Sequence, residues 1–235
     1  MVKSKIIHIA YYTDMLCVWA YVSEIRLSEL KKQFGSRIAI SYHFIPIFGC
    51  TDHRIGEGWK DRGGFRGYSK HVREVCADFP HVELGPDAWT KTIPKSSASS
   101  HHFLKAIQLL EQKSVISSQP DIHFGGNTLF EEMARRIRLA FFRDGLNIAE
   151  ESVLFDIAGQ IDLPVQSIAE HMRNGEAMAA MCRDIELGKQ YNIEGSPTYI
   201  LNEGRQKLYG NLGYKIIEAN VNEILHRPEN QASWC

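Results

Sequence analysis

The chain has 235 residues, 44% hydrophobic and 23% charged, with 27 Lys and Arg against 28 Asp and Glu. That profile suits one large globular domain, or a core domain carrying an insertion, with ample apolar material for a full core. A formal net charge of -1 sets up no broad field, so neither nucleic acid nor a membrane surface is expected as a partner.

The N-terminal apolar run, Ile6 to Tyr12, is interrupted by His8 and is too short for a secretory signal with its cleavage site. No stretch approaches the roughly 18 apolar residues that a membrane span needs. A cytoplasmic protein is therefore expected. The cysteines Cys17, Cys50, Cys76, Cys182 and Cys235 are odd in number and widely spaced. That is not a disulfide framework, and in a reducing compartment all are expected as thiols.

Lys5 to Tyr12 is β-branched and aromatic, the pattern of a buried strand. After the turn Thr13-Asp14, residues Val18, Tyr21, Val22, Ile25, Leu30 and Phe34 recur at helical spacing, and Gly35 stands where a helix ends. Arg37 to Ile45 is a second strand, stopped by Pro46. Gly49 to Gly67, rich in glycine and charge, reads as a loop or mobile lid. Mostly helices are expected from about Tyr68 to Lys189: Ser100 to Lys113, a helix capped by Thr128 and closed by Gly145, then Ser152 to Gln160, Val165 to Asn174 with Pro164 in its first turn, and Glu176 to Gln190. Thr198 to Leu201 and Gln206 to Tyr209 flank the turn Asn202-Glu203-Gly204 as a hairpin. Tyr214 to Leu225 is a last helix, with Ile216, Ile217, Val221 and Leu225 expected to face inward. Strand–helix–strand, a helical block, then strand–strand–helix is an α/β core split by a helical insertion.

The sharpest chemical feature is Asp14-Met15-Leu16-Cys17-Val18-Trp19-Ala20-Tyr21. Between a strand and a helix, Cys17 falls at a helix N-terminus, where unpaired backbone N–H groups favour an anion. A thiolate is such an anion, so a lowered pKa is expected there. The alternative is an inert, buried cysteine that packs as a small hydrophobe. Gly195-Ser196-Pro197-Thr198 precedes the third strand. A cis Ser196–Pro197 bond would expose the Ser196 backbone to an extended ligand, whereas a trans proline would merely open the strand.

The two motifs together resemble the DsbA family of the thioredoxin superfamily. That family's active-site pattern, D-x-x-C-P-W-C-Y, stands here as DMLCVWAY, and its G-x-x-G-V-P-T loop as YNIEGSPTYI. FRDGLNIAEESVLFDIAGQIDLPVQSIAEHM resembles the segment leading into that loop. The resemblance implies a thioredoxin-like domain, residues 1–48 and 190–235, split by a helical insertion domain, residues 49–189. It carries Cys17 over as the nucleophile, and Ser196 and Pro197 as substrate-loop residues. Trp19 and Asp14 join them at the substrate site, although for Asp14 a turn-ordering role is favoured, because Asp hydrogen-bonds its own local backbone. No tightly bound cofactor is implied.

Ala20 departs from the family, because it stands where a dithiol enzyme has its second cysteine. Three readings of a monothiol site stay open. Cys17 forms mixed disulfides with glutathione or a protein thiol, and an external thiol resolves them. Or Cys235, at the end of the tail, resolves Cys17, against the default of a frayed terminus. Or the site binds glutathione as co-substrate for non-redox chemistry, as in the kappa-class glutathione transferases and 2-hydroxychromene-2-carboxylate isomerases. A homodimer is compatible with all three.

Other signals are weaker. His101-His102 are adjacent and so lack the i, i+4 spacing of a zinc helix, and His71 and His81 have no ligand partners at the right distance, so no metal site is expected. Arg62 and Arg66 are candidates for a cationic lid that meets a glutathione carboxylate. Arg135, Arg136 and Arg138 read as a solvated helix face.

Overall fold

The computed structural model describes residues 6–226. Strand β1 (Ile7–Thr13) pairs in parallel with β2 (Ile38–Phe44), from Ile7 opposite Ile38 to Thr13 opposite Phe44. On its other side β1 runs antiparallel to β3 (Thr198–Leu201), which pairs with β4 (Gln206–Tyr209), for a sheet order β2-β1-β3-β4. The alternation of β1 sorts its side chains by face. Ile7, Ile9 and Tyr11 join Tyr199 and Leu201 under two helices, while Tyr12 packs with Ile45 and Ile200 on the opposite face.

Helix α1 (Val18–Phe34) follows β1 after the short loop Asp14 to Cys17 and buries Leu27, Leu30 and Phe34 against the first face. Gly35 ends it at a φ of 51°, a left-handed value that suits glycine. Asn202, Glu203 and Gly204 all have positive φ, which makes the tight turn between β3 and β4.

Between β2 and β3 lie α2 (Gly64–Ala77), α3 (Ala98–Gln112), α4 (Leu129–Phe142), α5 (Glu151–Gly159), α6 (Val165–Arg173) and α7 (Glu176–Gln190). Thr128 caps α4 with a full capping box: its Oγ1 accepts from the Glu131 N–H, and the Glu131 carboxylate accepts from the Thr128 N–H. The last helix, α8 (Tyr214–His226), completes the layer beside α1. Among the described residues, no helix is long and apolar enough to cross a membrane.

Four expectations are corrected. Gly49 to Gly67 is not a loose loop. It contains a π-helical turn (Asp52–Glu57), a 3-10 turn (Lys60–Arg62) and the start of α2. Ile55 is fully buried, and the Thr51 hydroxyl donates to the Pro94 carbonyl at 2.7 Å. Two of the glycines there serve close packing: a Cβ on Gly58 would lie 2.6 Å from the Arg54 carbonyl oxygen, and one on Gly67 would lie 1.8 Å from the Arg62 carbonyl oxygen. On α8 the buried stripe is Ile217, Val221 and Ile224, while Ile216 faces solvent and Leu225 is only partly buried. Residues 217, 221 and 224 share one helical face, and residue 216 points about 100° away from it. Pro164 is the cap residue of α6 rather than part of its first turn.

Arg138 is the fourth correction. It is buried, not solvated: its guanidinium pairs with Glu24 on α1 and donates to the Thr13 hydroxyl at 2.7 Å. Arg135 and Arg136 do stay near the surface, both bonded to the buried Glu132. A buried charge must be paired, and this pairing ties the insertion to the end of β1 and to α1. A second tie lies at the end of β2, where the Asp184 carboxylate accepts from the Phe44 N–H at 2.8 Å and pairs with His43 and Lys105.

Candidate active site

Tyr12 pairs with Thr198 at one end of the sheet, so the chain leaving β1 meets the chain entering β3. Cys17 caps α1 from the first of these loops, and the cis bond Ser196–Pro197 lies in the second. The Cys17 thiol donates to the Ser196 carbonyl at 3.1 Å, and the Ser196 hydroxyl accepts from the Asp14 N–H at 2.9 Å. Two contacts therefore lock the loops together, 179 and 182 residues apart in sequence.

Asp14 anchors the first loop. Its carboxylate accepts from the Leu16 N–H at 2.8 Å, the Phe48 N–H at 2.9 Å and the Ser97 hydroxyl at 2.7 Å. Asp14 is 0% exposed, so its carboxylate orders the turn and offers a substrate no surface. His101 supports the same loop: its Nε2 accepts from the Met15 N–H at 3.1 Å, and its ring stacks on Phe44. An accepting Nε2 places the imidazole proton on Nδ1. Burial holds the His101 pKa down, with Asp14 working the other way, so the ring stays neutral.

The expected lowering of the Cys17 pKa is corrected. Cys17 is 6% exposed, and burial, the largest cause, pushes its thiol up, with the Asp14 carboxylate adding to the rise. The backbone N–H groups of Ala20 and Trp19 and the Ser196 hydroxyl act the other way, without overturning it. Helix-terminus stabilisation is present but smaller than the loss of solvation. Ala20 is fully buried.

One wall of the site comes from the insertion. Half-buried Trp19 meets the edge of His71, with ring centroids 6.1 Å apart; His71 lies 5.3 Å from Trp59, and Trp59 lies 5.0 Å from Tyr68. The Arg62 guanidinium sits 3.8 Å over the Trp59 ring, while Arg66 lines a different pocket, with Trp89 and Ile93. Burial raises the Tyr68 hydroxyl well above its ordinary pKa, and charge on Cys17 or Asp14 would raise it further. Burial lowers the His71 pKa.

Cys50, Cys76 and Cys182 are free thiols. Burial pushes Cys76 up to about 11. Cys235 lies outside the described residues. No group of three or more His, Cys, Asp or Glu among the described residues could hold a metal ion.

His101, Ser97, Tyr68, Trp59 and the ring role of His71 escape a reading of the sequence, because they reach the site from the insertion. No local spacing links them to Cys17. The Ser196–Asp14 contact joins two motifs that were legible separately.

No family model and no curated protein sequence matches the chain. Solved structures do. A putative protein disulfide isomerase from Nitrosomonas europaea aligns with TM-score 0.72 at 13% identity, covering 95% of this chain and 99% of that one. The cytosolic disulfide reductase DsbM from Pseudomonas aeruginosa, also solved with GSH, aligns with TM-score 0.64 at 19% identity, covering 92% of this chain and 98% of that one. A 2-hydroxychromene-2-carboxylate isomerase aligns with TM-score 0.59 at 14% identity, covering 96% of this chain and 100% of that one. The chain has the DsbA-like thioredoxin fold.

Proposed function

We propose that the chain is a thiol–disulfide oxidoreductase that works through Cys17 as a single nucleophilic cysteine. The observation that carries this reading is the 3.1 Å contact between Cys17 Sγ and the Ser196 carbonyl beside the cis peptide bond. A disulfide that displaces the thiol from that carbonyl meets both the nucleophile and an open backbone acceptor. In the first step the Cys17 thiol loses its proton, and its sulfur attacks one sulfur of the disulfide. A Cys17 mixed disulfide forms, and the other sulfur leaves as a thiolate that takes up a proton. In the second step an external thiol attacks the mixed disulfide, which frees Cys17 and forms a new disulfide. Glutathione or a protein thiol of a reducing, cytoplasmic compartment supplies that thiol.

The raised Cys17 pKa bears on direction. A strong oxidase stabilises its reduced form as a low-pKa thiolate. At Cys17 burial outweighs that stabilisation, which favours reductive exchange and disfavours disulfide donation. The similarity to a disulfide reductase supports the same direction. The test is turnover of a glutathione mixed disulfide by the full chain and by Cys17→Ser. The reading expects glutathione-dependent reduction that the substitution abolishes, and unchanged turnover in Cys17→Ser refutes it.

A second reading is favoured by the aromatic wall of Trp19, Trp59, Tyr68 and His71. That wall suits a flat co-substrate held beside glutathione, as a glutathione-dependent transferase or isomerase of the kappa-class or 2-hydroxychromene-2-carboxylate isomerase type requires. Isomerase or conjugation activity retained in Cys17→Ser supports this second reading.

A further inference from the structure

We infer that α2 carries a second small-molecule site, apart from Cys17, for an aromatic anion: a flat ring bearing a carboxylate or sulfonate. The site is a pocket of about 440 Å³ lined by Phe65, Arg66, Ser69, Lys70, Arg73, Trp89, Thr90 and Ile93. Its chemistry divides in two. Phe65, Trp89 and Ile93 form an apolar floor, with the Phe65 and Trp89 rings stacked at 6.4 Å. Arg66, Lys70 and Arg73, at i, i+4 and i+7 on α2, put three cations on one rim.

Two residues that line this pocket, Ser69 and Trp89, carry polar groups without partners among the described residues. Ser69 is 4% exposed and lines the pocket, and its hydroxyl makes no hydrogen bond among the described residues. Trp89 is 1% exposed, and its indole Nε1–H is buried without an acceptor. Unpaired buried donors are rare in folded proteins, and each calls for an explanation. An anionic group in the pocket gives the Ser69 hydroxyl an acceptor. Trp89 also has a φ of 58°, a rare and costly conformation for a bulky side chain, and such strain concentrates at functional sites.

The rim cations are available to a ligand. Lys70 has one exposed, loose pair with Glu74 at 3.7 Å, which contributes little. Arg73 spends one Nη2 contact on the Pro86 carbonyl at 2.7 Å and keeps its other donors. Trp89 faces Tyr68 edge-on at 5.2 Å, so an aromatic layer separates this pocket from the Cys17 side. The inference needs no chemistry at Cys17 and stands apart from the function proposed above.

The test is calorimetric titration of the full chain with naphthalene-2-sulfonate, with naphthalene-2-methanol as the neutral control. Three proteins are compared: the natural chain, Arg66→Glu/Lys70→Glu, and Arg62→Glu. All three changes are at exposed, charged positions, and circular dichroism checks folding. The site predicts one equivalent of sulfonate bound, weaker binding of the alcohol, and a loss of about 10-fold or more in affinity, about 1.4 kcal/mol, in the double variant. Arg62→Glu leaves binding unchanged. Absence of saturable binding at millimolar probe overturns the inference. So does binding that survives the double variant, or that is lost in Arg62→Glu, because the probe then sits on the Trp59 wall.

Discussion

The Cys17 thiol and the Ser196 carbonyl, 3.1 Å apart, form the contact on which the site turns. The carbonyl accepts the thiol proton, so it favours the neutral form of the nucleophile. Burial of Cys17 works in the same direction.

The first prediction concerns titration. The alkylation rate of Cys17 with iodoacetamide, followed against pH, should rise with a midpoint above the ~8.5 of a free cysteine. Exposed Cys50 and Cys182 serve as internal references in the same peptide map. A Cys17 midpoint below theirs would show that the helix terminus outweighs burial.

Asp14 separates electrostatics from architecture. Asp14→Ala strands the Leu16 and Phe48 N–H groups and the Ser97 hydroxyl, and should cost about 3 kcal/mol or more in denaturant unfolding. Asp14→Asn keeps an acceptor and removes the charge, so it should lower the Cys17 alkylation midpoint at a smaller cost in stability. Ser196→Ala should move the midpoint the other way, because the Ser196 hydroxyl favours the thiolate.

Much of this arrangement can be read in the sequence, and the reasons differ by residue. The α/β core follows from periodicity: Ile7, Ile9 and Tyr11 alternate, and Leu27, Leu30 and Phe34 recur at helical spacing. Cys17 is recognisable because it stands at a helix start, and Pro197 because it stands immediately before a strand. Arg138 is not, because a cation on a helix reads as solvated until Glu24 and Thr13 are seen to meet it. The glycines from Gly49 to Gly67 read as mobility, yet Gly67 is there for close approach to Arg62. The direction of the Cys17 pKa is hidden for the same reason. A helix N-terminus is a local signal, whereas burial depends on the whole insertion.

His101 should make stability pH-dependent. Its folded pKa lies below its unfolded value of about 6.5, so the unfolded chain binds the extra proton. The contribution is complete above pH ~6.5 and is lost as pH falls below it. Glu24 and Glu111, whose pKa values are raised, oppose this slope nearer pH ~4.5. The diagnostic quantity is therefore the difference between the natural chain and His101→Gln. Urea unfolding from pH 7 to pH 5 should show a shallower loss in the variant, and parallel curves would remove His101 as the cause.

Ala20 tests the monothiol assignment. Ala20→Cys rebuilds the C-x-x-C spacing and should allow a bridge to Cys17. The oxidised variant should then lose two free thiols by reagent count, and its Cys17 mixed disulfides should become short-lived. Long-lived mixed disulfides in the variant would show that the buried position cannot reach Cys17.

The most direct measurement is cysteine-resolved mass spectrometry of the full chain after exposure to oxidised glutathione. The account predicts a glutathione adduct on Cys17, released by an added thiol and absent in Cys17→Ser. An unmodified Cys17 beside glutathionylated Cys50 and Cys182 would contradict it.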